Sequence, residues 1–466
     1  MPADPDRLAE VADLAVARKR KRQADAEASE VTHHQLATMW RDANTVGMHA
    51  PVYAAGAFHV PTSSGLWRAL SPEAATLSVA NLLDGRKRCN TAGDYAAVAR
   101  HAAALCEAAD FFEHAPPGIA TPAGFHRLTD EAVVTCTPLT LEHRQTFALP
   151  FAPDFDAEAT RIDGVLSQAF AGDHEAEQVA MWWEAAGAAV FGLMPKLQLV
   201  LLLLGRERSG KSLLQRLLER IFPTEAVSAV SPASWGHEYH VAALAGKRLN
   251  VVGELDDSQA LPAGAFKNVT GQNLINGRHP THRPFAFRCM AAQVFASNVL
   301  PPTTDRSDAF YRRWRVLRFA NTVPPERVDP DLFDKIVVAE MPAILAQACL
   351  GAERVAAAGT VRTSPAHDAV LAKWRAAANP VLQFLLDTDV VELDPQAAQH
   401  STADVFRAYR RWAAEAGFRH AFGRNHFLDL LEATGATRGV AIRRVELVDG
   451  RATVVAGLRL LGGGLP

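Results

Sequence analysis

Three short apolar runs in the middle of the chain are each followed directly by polar residues. They cover residues 197–204, 248–253 and 290–297, and the first is followed by a glycine-containing loop. Beyond that loop, residues 213–218 carry leucines at helical spacing. Short apolar runs that alternate with helical segments are typical of a parallel sheet covered by helices. The pattern therefore predicts an α/β core.

The pattern changes on either side of this core. Residues 1–50 are charged and helical in pattern, and their basic run at 18–22 favours a solvated helix face. Pro and Gly then interrupt a stretch that lacks sustained helical periodicity. The sequence predicts five parts: a charged helical segment at 1–50, a small mixed α+β domain at 51–150, a helical segment abutting the core at 151–194, the core at 195–358, and, beyond a linker around 363–365, a C-terminal domain at 380–466.

The C-terminal part has the order helix, helix, hairpin. Ser401 is placed to cap a helix that runs to Ala416, with Gly417 as its stop. A second helix is expected at 425–433, and the turn at 448–451 lies between two apolar runs. This order indicates a winged-helix-like domain. Its arginines suit phosphate contacts, and the alternative is a domain that packs against a partner.

Composition limits the class of protein. The 466 residues are 48% apolar and 21% charged, with a net charge of −3, so any nucleic-acid surface must be local. Five cysteines form no CxxC pair, which favours reduced thiols over zinc or disulfides. The apolar stretch 181–204 is interrupted by charged residues and proline, so we expect buried core and no membrane partner. Without secretory character at its start, the chain is expected to be cytoplasmic.

The loop after the first run carries the most specific chemistry. Gly205, Ser209, Gly210, Lys211 and Ser212 spell a phosphate-binding loop between an expected strand and helix. Small residues let backbone N–H groups face phosphates at a helix N-terminus, while the lysine reaches the β and γ phosphates. The serine hydroxyl is a magnesium ligand in such loops. ATP and Mg²⁺ are the expected cofactors.

Polar residues that can act on this nucleotide end the other two runs. Glu254 follows the second run, where an acid polarises water or supports Mg²⁺; Asp256 and Asp257 are competitors. A helix-start acid is the alternative interpretation of Glu254. Asn298 follows the third run and is placed to sense the γ-phosphate or position water. Its alternative is a simple turn with the prolines that follow.

Two basic groups lie further along. Arg312 and Arg313 follow Asn298 by 14 and 15 positions, and an arginine offered to a neighbour's ATP stabilises transition-state charge. A charged strand edge is the alternative. Cationic and hydrogen-bonding side chains between Gly277 and Pro284 suit a hairpin that contacts the phosphate backbone of single-stranded or forked DNA. These DNA-binding candidates are Arg278, His279, Thr281, His282 and Arg283.

The order of these motifs resembles superfamily 3 helicases, above all the phage and plasmid primase-helicases related to the poxvirus primase-helicase. The likeness covers residues 195–320, through the loop, 246–255, 270–271, 295–298 and 310–313, and extends weakly upstream. The resemblance implies an AAA+ type P-loop ATPase that forms a hexameric ring around DNA. It assigns nucleotide and magnesium to Lys211 and Ser212, the Walker B acid to Glu254, the first sensor to Asn298, an arginine finger in trans to Arg312 or Arg313, and the pore to 278–283.

Two departures limit this resemblance. Gly253 precedes Glu254, where many ring ATPases carry a second acid, and the first 190 or so residues lack a strand ending in an Asp-x-Asp pair, as a primase would have. We therefore expect an ATP-dependent helicase for replication of a phage, plasmid or integrated mobile element, with a separate primase or initiator as a possible partner. The alternative is an ATP-binding origin-recognition or assembly scaffold. A ring ATPase acting on protein is disfavoured, because the hairpin is basic rather than apolar.

Overall fold

The computed structural model describes residues 31–86, 89–255, 260–280, 283–303, 305–394, 396, 399–416, 422–437, 442–446 and 453–461. The basic run at 18–22 lies outside these residues, as do Asp256, Asp257, Thr281 and His282.

The N-terminal part is a mixture of helices and antiparallel strands. In chain order it contains α1 (His33–Ala43), β1 (Val52–Ala54), β2 (Ala57–Pro61), β3 (Trp67–Leu70), α2 (Pro72–Leu83), α3 (Ala92–Leu105), β4 (Gly118–Thr121), β5 (Gly124–Leu128) and β6 (Val134–Thr137). Strands β1 to β3 form one sheet and β4 to β6 another. Thr32 and Gln35 form a reciprocal capping box at the start of α1, which satisfies N–H groups that the helix leaves unpaired.

The central part alternates strands with helices, as the apolar runs predict. It contains α4 (Thr160–Phe170), α5 (Glu175–Val190), α6 (Leu193–Lys196), β7 (Val200–Gly205), α7 (Lys211–Ile221), β8 (Val227–Ser228), α8 (Glu238–Val241), β9 (Leu249–Val252), α9 (Ala263–Thr270), β10 (Ile275–Gly277), β11 (Phe285–Phe287), β12 (Ala292–Ser297), α10 (Asp308–Tyr311), β13 (Trp314–Phe319), α11 (Leu332–Ala358) and α12 (Pro365–Ala377).

A five-stranded parallel sheet organises this part, in the order β13-β7-β12-β9-β8. Leu204 at the end of β7 pairs with Ser297 at the end of β12, and Phe295 of β12 pairs with Val252 at the end of β9. The carboxyl ends of these three strands therefore meet at one edge. Ligands of open α/β sheets bind at that edge, where the strand order reverses.

Helices α5 and α11 cross at close range beneath the sheet. A Cβ on Gly187 would lie 2.2 Å from the carbonyl oxygen of Ala348, and one on Gly351 would lie 2.0 Å from that of Trp183. Each glycine thus permits a backbone approach that a side chain would prevent. Both helices share one hydrophobic core with the sheet, so residues 151–194 supply part of that core rather than only adjoining it.

Helix α11 is long and apolar enough to cross a membrane by length and composition, and 61% of its most apolar window is buried inside the protein. The apolar stretch 181–204 is divided among α5, α6 and β7, and most of it is buried. The prediction of a buried helix and strand there is confirmed.

The residues expected as a linker, 363–365, end a short connection from α11 and begin α12 at Pro365. Ser364 is buried and caps α12, accepting a hydrogen bond from the N–H of His367 at 3.1 Å. The Nδ1 atom of His367 in turn accepts from the N–H of Val316, at 3.0 Å, on the outer side of the edge strand β13. Burial and the nearby Arg315 lower the pKa of His367 to about 4, so the ring is neutral and suited to accept. Ser-Pro marks a helix start here.

The C-terminal part has its own core around Phe384, Tyr409 and Phe427. Its elements are α13 (Pro380–Leu386), β14 (Val391–Glu392), β15 (His400–Ser401), α14 (Thr402–Glu415), α15 (Arg424–Thr437), β16 (Arg443–Glu446), β17 (Thr453–Ala456) and β18 (Arg459–Leu460). The cap at Ser401 is confirmed, since its Oγ accepts from the N–H of Asp404 at 3.0 Å. The second helix extends beyond the expected 425–433. Strands β16 and β17 pair antiparallel, while Gly417 and the turn 448–451 lie outside the described residues.

Candidate functional site

The loop of residues 205–210 joins β7 to α7 at the carboxyl edge of the sheet. Gly205 pairs with Phe319 of β13, and a Cβ there would lie 2.5 Å from the Phe319 carbonyl oxygen. Gly210 adopts φ +94° as the N-cap of α7, a conformation that favours glycine. The two glycines therefore serve different needs: close strand packing and the turn into the helix.

Backbone N–H groups of this loop are available to a ligand. Within the described residues, those of Ser209, Gly210, Lys211 and Ser212 donate to no other group of the chain. The first N–H groups of a helix lack intrahelical acceptors and carry the positive end of its dipole. The loop is anchored by its carbonyls, because Arg208, at φ 58°, accepts from the N–H of Val323 at 2.7 Å. The unpaired N–H donors form a cradle for an anion.

Lys211 lies at the centre of the site and is buried. Its Nζ donates to the carbonyls of Gly205 and Arg206, at 2.5 and 2.7 Å, and to Oδ1 of Asn298, at 3.1 Å. Burial lowers the pKa of Lys211, while Glu254 and Glu207 oppose that shift. The ammonium group is thus held by oxygen acceptors at the mouth of the loop.

Asn298 links this lysine to an acid. Its Nδ2 donates to Oε1 of Glu254 at 2.8 Å, while its Oδ1 accepts from Lys211. Glu254 lies two residues beyond β9, where the N–H of Leu255 donates to the carbonyl of Ala296 in β12, at 3.0 Å. The structure brings the three predicted residues from three neighbouring strand ends into one hydrogen-bonded chain.

The two serines of the loop have different surroundings. Ser209 is 2% exposed, and its Oγ donates to the carbonyl of Arg206 at 2.8 Å, so this hydroxyl closes the loop on itself. Ser212 is exposed in the first turn of α7. Of these two serines, Ser212 is the one whose side chain is exposed beside the loop, as the magnesium-binding serine of a phosphate-binding loop has to be.

Sequence reasoning missed Gln215 of α7. Its side chain is buried, and its Nε2 donates to the carbonyl of Val252, the last residue of β9, at 2.8 Å. This bond fixes the helix that carries Lys211 against the strand that precedes Glu254. The available signal was a polar residue on the buried face of an amphipathic helix, because such a residue requires a partner.

Arg312 and Arg313 lie at the opposite edge of the sheet. They directly precede β13, whose first residue, Trp314, pairs with the first residue of β7. Arg313 is buried, and its guanidinium donates to the carbonyl of Ala309 and to Oε1 of Gln198, the latter at 3.0 Å. Arg312 is exposed. Neither side chain joins the Lys211 chain of its own protomer.

The predicted hairpin is present as the antiparallel pair β10 and β11. Arg278 lies 3.6 Å from the carboxylate of Glu238 and over the ring of Tyr239, and His279 stacks on Phe285 at 5.0 Å between centroids. Arg283 is exposed, and Thr281 and His282 lie outside the described residues. The loop end of the hairpin meets the N-terminal part, since Phe285, which pairs with Gly277, packs against the β1–β2 turn at Gly56.

Part of the chain matches a family model, and the fold is similar to that of solved structures. A family of unknown function, DUF5906, matches residues 203–313, which contain the loop, Glu254, the hairpin and Asn298. No curated protein matches the chain.

Solved structures of one protein are similar over nearly the whole chain. The apo structure of the NrS-1 C-terminal region (305–718) is 11% identical and covers 92% of this chain and 100% of its own, with a TM-score of 0.51. The A form apo structure of that region, at 11% identity, covers 87% and 95% with a TM-score of 0.46. The class is thus a mixed α/β protein with a parallel sheet. Its fold is similar to that of the NrS-1 C-terminal region.

Proposed function

We propose that this protein is an ATP-driven, ring-forming DNA helicase that serves replication of a phage, plasmid or integrated mobile element. The observation that carries the proposal is the chain Lys211–Asn298–Glu254 beside the phosphate-binding loop. A cation, an amide and an acid at adjoining carboxyl ends of parallel strands match the needs of phosphoryl transfer to water. The strand order around the loop supports an AAA+ type P-loop core.

The residues of the loop fit ATP and Mg²⁺. The unpaired N–H groups at the start of α7 suit phosphate oxygens, and Lys211 would exchange the two loop carbonyls for the β and γ phosphates. Ser212 and Glu254 would hold Mg²⁺, which neutralises developing phosphate charge. Glu254 orients the attacking water, and Asn298, bonded to both partners, positions the acid relative to the lysine.

The arginine that completes the site comes from a neighbouring subunit in this proposal. Strand β13 separates Arg312 from the loop of its own protomer, by roughly 20 Å at about 3.3 Å per residue. Arg312 is exposed, whereas Arg313 is bonded inside the protomer. We therefore assign the finger to Arg312 and a structural role to Arg313. Such a composite site requires a ring, and the resemblance sets its expected size at six.

DNA is the substrate along which the proposed helicase would move. The β10–β11 hairpin presents Arg283 to solvent and carries Arg278 and His279 at the start of its loop, with Thr281 and His282 between His279 and Arg283 in the sequence. Basic groups in the loop of a hairpin favour contact with a phosphate backbone irrespective of base sequence. The C-terminal part, with two helices followed by β16 and β17, is proposed to be winged-helix-like and to add a second DNA contact.

The test is ATP hydrolysis with and without single-stranded DNA, alongside unwinding of a forked duplex. Wild type should hydrolyse ATP faster with DNA and unwind the fork, and Lys211→Ala should lose both activities. Lys373→Ala, which removes an exposed lysine on α12, is the matched control and should retain both. ATP binding with no turnover, or turnover that ignores DNA, would contradict the motor and favour an ATP-ordered scaffold.

A further inference from the structure

A second cavity lies at the amino edge of the parallel sheet, away from the phosphate-binding loop. Its volume is about 130 Å³. Lys196 precedes β7, Arg248 precedes β9 and Met290 precedes β12, so the floor is the edge where these strands begin. The N-terminal part supplies the opposite wall, including His59, Phe112 and Arg144. Two parts of the chain therefore enclose one space.

The charge of this cavity is strongly positive. Its lining contains five cationic side chains and one carboxylate, that of Glu113, which pairs with Arg288 at 3.1 Å. The four other cations are Arg144, Lys196, Lys247 and Arg248. Arg144 and Lys247 each donate to a backbone carbonyl, and the carboxylate of Glu225 also lies near Lys247.

Arg248 is the most unusual member. Its guanidinium lies against Gly192, where a Cβ would be 2.2 Å from Nη1, and about 5.8 Å from the ring centroid of Phe147. Within the described residues, it forms no hydrogen bond or ion pair. Burial lowers its pKa to about 10, and burial together with Arg248 lowers the pKa of Lys196. A guanidinium that lies against apolar groups without a counter-ion is unfavourable, so binding of an anion beside Arg248 would be favourable.

Planar and apolar groups complete the lining. Phe112, Phe147 and Phe287 face the cavity with Pro116 and Pro117, and His59 packs on Phe112 at 4.4 Å between ring centroids. Burial lowers the pKa of His59 to about 4, so this ring adds no charge at neutral pH. Aromatic faces stack on nucleobases, whereas guanidinium and ammonium groups bind phosphate.

We propose that this cavity is a second anion site that binds the phosphate group of a nucleotide unit, with Arg248 and Lys196 as its phosphate ligands. The sheet separates it from the ATP site. The nucleotide is either free or at the end of a DNA strand, and the chemistry of recognition is the same. Because both parts of the chain line the cavity, the bound phosphate fastens the N-terminal part to the core.

Calorimetric titration of the full chain tests the site in a Lys211→Ala background, which weakens phosphate binding at the first site. The probes are AMP and an oligothymidylate with either a 5′-phosphate or a 5′-hydroxyl. AMP binding indicates a free nucleotide; binding that depends on the 5′-phosphate indicates a strand end. Adding Arg248→Gln or Lys196→Gln should raise the Kd about tenfold or more, because each change removes a charge-assisted hydrogen bond. Adding Lys373→Gln, the same charge change elsewhere, should leave it unchanged.

Thermal unfolding separates ligand loss from misfolding. Arg248→Gln removes an unpaired cation and should keep or raise the Tm without ligand, while AMP or the 5′-phosphorylated strand should no longer raise it. Lys196 is exposed, so its variant gives the same binding test without a packing change. Binding of no probe, or equal binding with and without Arg248, would overturn the proposal.

Discussion

Cationic side chains have different partners at the two edges of the parallel sheet. At the carboxyl edge, Lys211 is bonded to three oxygen acceptors, and one of them connects it to Glu254. At the amino edge, Arg248 and Lys196 face a cavity whose one lining carboxylate, Glu113, is paired with Arg288 of the same lining. In the function proposed above, the carboxyl edge serves a reaction that needs both a cation and an acid. For the amino edge the proposed role is binding, because cations predominate in the cavity lining.

The largest effect is expected for Arg312, which in the proposed ring reaches from one subunit's amino edge to the next subunit's carboxyl edge. Arg312→Ala should lower ATP turnover by about 10³-fold or more, because a finger arginine stabilises transition-state charge. Mixing it with Lys211→Ala should restore part of the turnover, since some interfaces then pair an intact loop with an intact arginine. Steady-state phosphate release measures both.

Arg313→Met is the matched control for that experiment. It removes an internal guanidinium and should lower the Tm while the remaining folded protein keeps its turnover. Failure of the mixture to recover any activity would place the arginine within its own protomer or outside the reaction.

Next in size is the acid of the carboxyl edge. Glu254→Gln should lower turnover about 10²-fold, because the amide keeps the hydrogen bond from Asn298 but no longer activates water. ATP affinity should change little, and equilibrium binding of a fluorescent ATP analogue measures it. Glu219→Gln, on the exposed side of α7, is the control. Equal losses of affinity and turnover would instead make Glu254 a purely magnesium-holding residue.

A smaller effect is expected for the amide between cation and acid. Asn298→Ala leaves both charged groups in place and removes only their bridge, so turnover should fall about tenfold. Asn298→Gln should recover little, because its longer side chain displaces one of the two contacts. Single-turnover hydrolysis at saturating ATP isolates this step. A wild-type rate for Asn298→Ala would instead show that Asn298 only forms a turn.

The smallest effect is on stability in acid. The pKa values of His59 and His367 are lowered to about 4 from 6.5, so the unfolded chain binds protons that the folded chain excludes. Stability should fall as the pH decreases from about 6.5 towards 4. His367→Gln can accept from Val316 without titrating, and its Tm should depend less steeply on pH. Parallel pH dependences for variant and wild type would contradict the assignment.

Much of the carboxyl edge could be predicted from the sequence, and almost none of the amino edge. Glu254 and Asn298 each follow an apolar run, and parallel strands bring such ends together by a simple rule of register. The cavity instead combines residues near positions 55, 112, 147, 196 and 248, which come together only through the packing of two parts of the chain. No local pattern encodes that packing.

The remaining differences between the predicted and the observed structure arise where a short sequence motif has two structural interpretations. Ser364-Pro365 satisfies the signal for a linker and the signal for a helix start equally, and only the contact of His367 with β13 decides between them. Arg312 and Arg313 are chemically equivalent in the sequence. Burial separates them, since Arg312 is exposed at the C-cap of α10, while the guanidinium of Arg313 is bonded to Ala309 and Gln198.

Strand β13 also connects Arg312 to the phosphate-binding loop. Arg312 lies just before it, and shortly after it Val323 holds the phosphate-binding loop by the hydrogen bond to Arg208. Because β13 is paired to β7 along its whole length, it resists bending. In the ring that we propose, a shift of Arg312 at a subunit boundary would be transmitted along β13 to the phosphate-binding loop of the next ATP site. Strand β13 would then couple movement at one ATP site to movement at the next ATP site of the ring.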